Sequence, residues 1–332
     1  MKETDIRPGV LFDEYLKLAA SDVETYFRDA EVNPINCPAC GEKGHLAFVK
    51  HGFHYDECPA CNTLFVSPRP AASAFEKYYT DAPSVIFWST NFYRDTEKAR
   101  RELLWKPKAM LLKEILERNG LEPSDTSVVD IGGGYGIFAQ EISKLAFKNP
   151  VVIEPGPSLA DACREKGLNV VEKFLEDVIQ SELPIGEKCF VSYELFEHLH
   201  CPESFLEHLA KLMGPSDIFT FSTLSGMGLD IRVLWSKSKS VSPPHHLNFF
   251  NPKSIAVLLE KTGFEVLEVF TPGKLDISIL ENSAEEIRDH FWKYAILNAT
   301  EEQKAVLQTS LANANLSSHM MVVCRRKNYS RG

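Results

Sequence analysis

The sequence predicts an α/β protein carrying a small cysteine-rich module near its N-terminus. Three observations carry this. Strand-like and helix-like segments alternate from residue 121 onward, the signature of a parallel sheet wound by helices on both faces. Four of the eight cysteines fall between positions 37 and 61 as two matched pairs. The composition, 44% hydrophobic and 25% charged, is that of a globular chain and excludes disordered, collagen-like and coiled-coil readings. At about 150 residues per domain, 332 residues suggest roughly two domains.

Residues 1–36 carry a weak helical period through Leu11, Phe12, Tyr15, Leu16 and Leu18. The start, Met1-Lys2-Glu3-Thr4-Asp5, has no apolar core for a signal peptide. No run of 18 apolar residues is present, so no membrane-spanning helix is expected and a cytoplasmic location follows by default. A net charge of −10 argues against a general binder of nucleic acid or anionic membranes.

Cys37-Pro-Ala-Cys40 and Cys58-Pro-Ala-Cys61 form a Cys-x2-Cys pair of pairs, the spacing of a tetrahedral zinc site. Two thiolates in one tight turn reach one metal. Gly41 and Asn62 follow the pairs, where a positive φ turns backbone N–H groups toward the sulfurs. Four protein ligands close the shell, so the zinc is expected to be structural. His51 and His54 lie inside this module and are read as structural too. Between 37 and 70, Lys43, Lys50 and Arg69 balance Glu42, Asp56 and Glu57, leaving no basic patch for phosphates. The module is expected to fold and dock, not to bind nucleic acid. Pro68-Arg69-Pro70 suggests a boundary, giving residues 1–70 as helix plus zinc ribbon.

Residues 71–120 form an aromatic-rich helical linker. Phe75, Tyr78, Tyr79, Phe87, Trp88, Phe92 and Tyr93 crowd into it, as a packing seam, a lid over a ligand pocket, or both. The helical pattern over 97–119 stops at Asn119-Gly120. In 121–332, strands are expected at 128–131, 151–153, 169–171, 189–193, 218–223, 264–270 and 320–325. Helices are expected at 137–144, 159–166, 203–213 and 253–262, with an acidic helical stretch at 281–308.

The first of these strands runs through Asp130 into Gly132-Gly133-Gly134-Tyr135-Gly136. A dinucleotide fingerprint needs G-x-G-x-x-G, and Ile137 occupies the position of its last glycine, so NAD is disfavoured. Asp130 at the loop would repel a phosphate and suits a cationic or amine-bearing ligand. Glu154 ends the second strand, where a carboxylate accepts hydrogen bonds from both hydroxyls of a ribose.

Asp130-Ile-Gly-Gly-Gly-Tyr-Gly with Glu154 resembles the cofactor site of Rossmann-like (class I) S-adenosylmethionine (SAM)-dependent methyltransferases. The resemblance implies a seven-stranded domain over 121–332 with 264–270 and 320–325 as its last strands. It implies Asp130 near the methionine part of the cofactor, the Gly132–Gly136 loop passing under it, Glu154 on the ribose and Phe174 beside the adenine. A zinc ribbon, an aromatic linker and Pro-Pro-His-His-Leu-Asn-Phe-Phe (243–250) with Thr-Pro-Gly-Lys-Leu-Asp (271–276) are similar to enzymes that methylate sugars of surface glycans or natural products. That implies a small, sugar-containing acceptor methylated on oxygen or carbon.

After the fourth strand come Glu194, Glu197 and His198. If a helix starts there, i, i+3, i+4 spacing sets them on one face. Glu194 is read on the cofactor side, and Glu197 with His198 as the group that removes a proton from the acceptor. The same spacing resembles a magnesium-assisted motif of quinone and small-RNA O-methyltransferases, so Mg²⁺ held by carboxylates is the alternative. His245 and His246, on the stiff loop after Pro243-Pro244, are further candidates for base or ligand. The rival functions are a metal-assisted O-methyltransferase of a quinone or phenol, an RNA methyltransferase, and a non-catalytic SAM-binding protein.

Overall fold

The computed structural model describes residues 1–327. The ribbon consists of β1 (His45–Lys50), β2 (Phe53–Glu57) and β3 (Leu64–Val66). The large sheet takes β4 (Ser127–Ile131), β5 (Lys148–Ile153), β6 (Asn169–Val171), β7 (Lys188–Tyr193), β8 (Ile218–Leu224), β10 (Phe264–Phe270) and β11 (His319–Arg326), while β9 is the two-residue strand Asn248–Phe249. Every strand expected in 121–332 is present, with ends shifted by three residues or fewer. The order across the sheet is β10-β11-β8-β7-β4-β5-β6. All neighbours run parallel except β11, which is antiparallel to both β8 and β10. This is the seven-stranded arrangement that the resemblance implies.

Alternate side chains of the central strands serve two separate cores, as the two-residue period of a strand demands. Val129, Ile131, Phe190, Phe219 and Phe221 face helices Pro202–Leu212 and Pro252–Lys261 through Phe205, Leu209, Ile255 and Leu258. Val128, Cys189, Val191 and Ile218 face helix Lys106–Arg118 through Leu112, Ile115 and Leu116, and the helix Ile137–Ser143 through Phe138. Burial on both faces explains why these strands read as near-continuous apolar runs.

The ribbon is not a free-standing appendage. Its β3 pairs antiparallel with β9, Asn248 opposite Phe65 and Phe249 opposite Leu64. Phe65, Cys37 and Cys58 lie in the same core as Phe250 and Ile255 of the large domain. Leu64 and Val66 point the other way, into a core with Val23, Phe27, Phe75 and Tyr78. Arg69, 3% exposed, donates to the carbonyl of His200 at 2.6 Å and to Asn248 Oδ1 at 2.7 Å. Asn251 caps helix Pro252–Lys261 and donates to the Cys61 carbonyl at 2.7 Å.

From Pro83 to Arg118 the chain is one helical rod with π-helical turns at Trp88–Phe92 and Arg101–Trp105. It ends at Gly120, φ +79°. In the aromatic linker Phe75, Tyr78 and Phe92 are buried, while Tyr93 lines the glycine-loop cleft. The acidic stretch resolves into three helices, Asp276–Asn282, His290–Asn298 and Glu301–Asn313. Among the described residues no helix is long and apolar enough to cross a membrane.

Candidate functional site

The glycine loop leaves the C-terminal end of β4, the edge of an open α/β sheet where ligands bind. Gly132, Gly134 and Gly136 all adopt positive φ, +70°, +55° and +68°, which explains glycine at each. A Cβ on Gly136 would lie 2.5 Å from Leu168 and 2.9 Å from the Cys163 sulfur, so this glycine lets the loop press on the helix Pro157–Glu165. A Cβ on Gly133 would meet Val152 at 2.6 Å and Asp130 Oδ2 at 2.9 Å. Asp130 thus sits directly beneath the loop. Space around Gly134 is open.

Asp130 is 3% exposed, and its Oδ2 has no hydrogen-bond partner among the described residues. Burial, with the neighbouring Glu154, pushes its carboxyl up to about 7. Glu154 caps β5 and accepts from Gly134 N at 2.9 Å and Gly156 N at 3.0 Å; burial raises it to about 7 against those two bonds. A cationic ligand with vicinal hydroxyls fits this pair, since it supplies charge to an unpartnered buried carboxylate and donors to a second one. Asp130, Gly132 and Gly133 line a small cleft walled by Tyr93, Trp105, Tyr135, Phe138 and Tyr193. Phe174 follows β6 and stands 58% exposed, a large apolar face at a strand end.

The segment after β7 departs from expectation. No α-helix starts at Glu194; it has φ +58°, and only Phe196–His198 forms a 3₁₀ turn. Glu194 therefore parts company with Glu197 and His198. Its Oε1 accepts from Lys108 Nζ and Ser222 Oγ, both at 2.8 Å, with His319 Nδ1 at 3.4 Å. Burial alone would raise Glu194, but Lys108 and His319 hold it well below the usual carboxylate range.

Glu197 and His198 turn instead toward the loop carrying His245 and His246. Glu197, His198 and His246 each offer a ligand atom within 4.8 Å of the others. The rings of His198 and His246 are 4.9 Å apart, and those of His198 and His245 6.0 Å. His246 Nδ1 lies 2.6 Å from the Ser240 carbonyl, so Nδ1 carries the proton and Nε2 keeps its lone pair. His245 Nε2 is 2.6 Å from the Tyr78 hydroxyl, which meets Ser84 Oγ at 2.8 Å. Glu197 accepts from Thr223 Oγ1 at 3.0 Å. Burial lowers His198 to about 4 and His246 to about 3, so both imidazoles are neutral at pH 7. Burial and Glu194 push Glu197 up to about 8. Two imidazoles and one carboxylate suit a transition metal better than magnesium, which prefers an all-oxygen shell. The expected carboxylate-rich magnesium set therefore does not form.

The four ribbon cysteines converge, each sulfur within 4.8 Å of the others. Cys37 and Cys61 are 3.5 Å apart and Cys40 and Cys58 3.4 Å. Gly41 and Asn62 have the expected positive φ, +81° and +56°, but the N–H groups of these two residues turn to carbonyls and not to the sulfurs. Their N–H groups donate to the carbonyls of Cys37 and Cys58 at 2.9 Å. An all-thiolate, closed tetrad fits zinc.

Lys108, His319 and Arg100 escaped sequence reasoning. Lys108 reaches Glu194 across 86 residues of chain, and no local pattern announces such a pairing. Tyr78 was legible as one aromatic of the linker, without its partner His245.

A family model described as a methyltransferase domain matches residues 99–269. No curated protein matches the chain. Similar solved structures include the plantazolicin methyltransferase BpumL in complex with SAH, at 13% identity and TM-score 0.49, covering 76% of this chain and 93% of that one. A Burkholderia thailandensis 1,6-didemethyltoxoflavin-N1-methyltransferase is 12% identical with TM-score 0.47, covering 86% and 100%. A SAM-dependent methyltransferase from Archaeoglobus fulgidus is 17% identical with TM-score 0.47, covering 71% and 100%.

Proposed function

Starting from a chain that belongs to the methyltransferase-domain family, we propose that it moves the methyl group of SAM to oxygen or carbon of a small, sugar-containing molecule. The observation that carries the cofactor assignment is the unpartnered Asp130 carboxylate beneath Gly133, beside Glu154 at the tip of β5. SAM, when bound, supplies an electrophilic methyl on a sulfonium. Asp130 faces its cationic methionine part, Glu154 accepts from the ribose and Phe174 flanks the adenine. Gly132, Gly133, Gly134 and Gly136 let the backbone approach.

The acceptor must be aligned and, if it reacts through a hydroxyl or an acidic carbon, lose a proton. The neutral His198 and His246 are in the protonation state of a base. Glu197 stands within reach to stabilise the imidazolium once it ionises. His245 is tied to Tyr78 and positions the loop. The zinc tetrad holds the ribbon against β9, directly after the histidine loop; its role is structural. A phenolic acceptor with metal assistance at Glu197, His198 and His246 is the second reading, favoured by the convergence of those three groups.

Incubation with labelled SAM and fractionated cell extract, followed by identification of the labelled product, tests the reading. Labelling of a low-molecular-mass glycoside supports it. Label that appears only in nuclease-sensitive material, or SAM bound without turnover on any fraction, defeats it. Stimulation of turnover by an added divalent metal would favour the second reading.

A further inference from the structure

A second, wider opening lies beside the cofactor cleft and shares Trp105 with it. It encloses about 1030 Å³ including its mouth, room for a substituted sugar-sized ligand. Its charged walls are Arg7, Arg100, Lys108 and Lys274 against Glu194 and Asp276. Both acids are already satisfied within the protein. Glu194 is taken by Lys108. Asp276 accepts from Ser317 Oγ at 2.5 Å, Ser318 N at 2.7 Å and Gln308 Nε2 at 2.8 Å.

Arg7, Arg100 and Lys274 are left without a carboxylate partner among the described residues, in a chain of net charge −10. Arg100 is only 6% exposed. Its guanidinium sits over the rings of Tyr93 at 5.2 Å, Trp105 at 5.9 Å and Trp88 at 6.0 Å. Among the described residues, three N–H donors around this one cavity have no acceptor: Arg7 Nε, Arg100 Nε and Trp105 Nε1. Buried donors of this kind carry a desolvation penalty unless a partner arrives. A surface that collects cations and orphaned donors, and whose own acids are spoken for, is built for an anion.

We propose that the acceptor carries an anionic group, a carboxylate or a phosphate ester, and that Arg7 and Arg100 with Trp105 hold it in this cavity. The proposal rests on the methyltransferase reading only in naming the occupant as the acceptor. The anion also accounts for Arg100, the residue before the π-helical turn Arg101–Trp105, where it lines the cavity without a carboxylate partner among the described residues.

The test uses the full-length protein saturated with SAH. Pyrophosphate and citrate are titrated in and tryptophan fluorescence is followed. Saturable binding of at least one anion is expected, weakened at least tenfold in Arg7→Gln. Arg7 is partly exposed, so this variant should fold, and unchanged SAH affinity checks that it has. In parallel, extract is split on an anion exchanger before labelling with SAM. The methyl acceptor should lie in the retained fraction; phosphatase treatment removes it if it is a phosphate ester, and carbodiimide amidation removes it if it is a carboxylate. No saturable binding of either anion to wild type, equal binding by Arg7→Gln, or an acceptor confined to the unretained fraction would overturn the proposal. Failure of SAH itself to bind would instead defeat the cofactor reading.

Discussion

Asp130 and Glu154 both titrate at about 7 in the ligand-free protein, far above ordinary carboxylates. At pH 6 each is mostly protonated and neutral; at pH 8 each is mostly charged. A cofactor with a cationic methionine part and two ribose hydroxyls prefers both in the charged form. Its binding must therefore lower both titration points and release protons. Each group contributes about a tenfold change in affinity per pH unit below its titration point, about 1.4 kcal/mol. SAH should bind at least tenfold more tightly at pH 8 than at pH 6, approaching a hundredfold if both groups respond. Calorimetry at pH 6, 7 and 8, in two buffers of different ionisation enthalpy, measures the affinity and counts the protons. Asp130→Asn should flatten the profile to the contribution of Glu154 and remove the proton that Asp130 releases. The same shifts act on the fold. Both carboxyls are raised in the folded state, so their contribution favours folding at low pH and is lost as pH climbs through about 7. SAH should restore the loss. Affinity that stays flat from pH 6 to 8 with no proton released would refute the placement of the cofactor over this pair.

Purified protein should contain about one zinc per chain, and elemental analysis of Cys58→Ser should find it gone; because Cys58 shares a core with Phe250 and Ile255, thermal unfolding of this variant should shift for the whole molecule. Phe65→Ala, at a fully buried side chain between ribbon and large sheet, should cost about 3–5 kcal/mol in a denaturant titration. His246→Ala should cut turnover on the identified acceptor by about 10²–10⁴ while calorimetry finds SAH affinity nearly unchanged. Glu197 titrates at about 8, and its ionised form favours a neighbouring imidazolium, so turnover should rise as pH passes through about 8; Glu197→Gln should erase that step in the pH–rate profile.

The large sheet was legible because its central strands bury both faces, and a run such as Val128–Ile131 announces that locally. The convergence of the four cysteines and the positive φ at Gly41 and Asn62 were legible for the same reason: two short turns carry their own geometry. The site was legible only where it is made of such segments. Glu194 was misplaced because one left-handed residue, stabilised by Lys108 and Ser222 from distant elements, breaks the helical spacing. Nothing in Tyr193-Glu194-Leu195 signals it. The docking of the ribbon depends on register between Phe65 and Asn248, and a two-residue strand leaves no period to read. The guanidiniums of Arg7 and Arg100, without carboxylate partners among the described residues, belong to a cavity whose walls come from seven separate stretches of chain.

The pairing of β3 with β9 also has a temporal side. As the chain leaves the ribosome, the ribbon emerges before the large domain, and its two cysteine turns can form as soon as Cys61 is out. The edge of β3 then offers open N–H and C=O groups and the apolar Leu64, Phe65 and Val66, until Asn248 and Phe249 are synthesised. At translation rates of about 5–20 residues per second, that interval lasts roughly 10–40 s. An exposed apolar strand edge is a template for pairing with another chain. The nascent protein thus has a window, set by the distance between two short strands in the sequence, during which its cysteine module is finished and its cover does not yet exist.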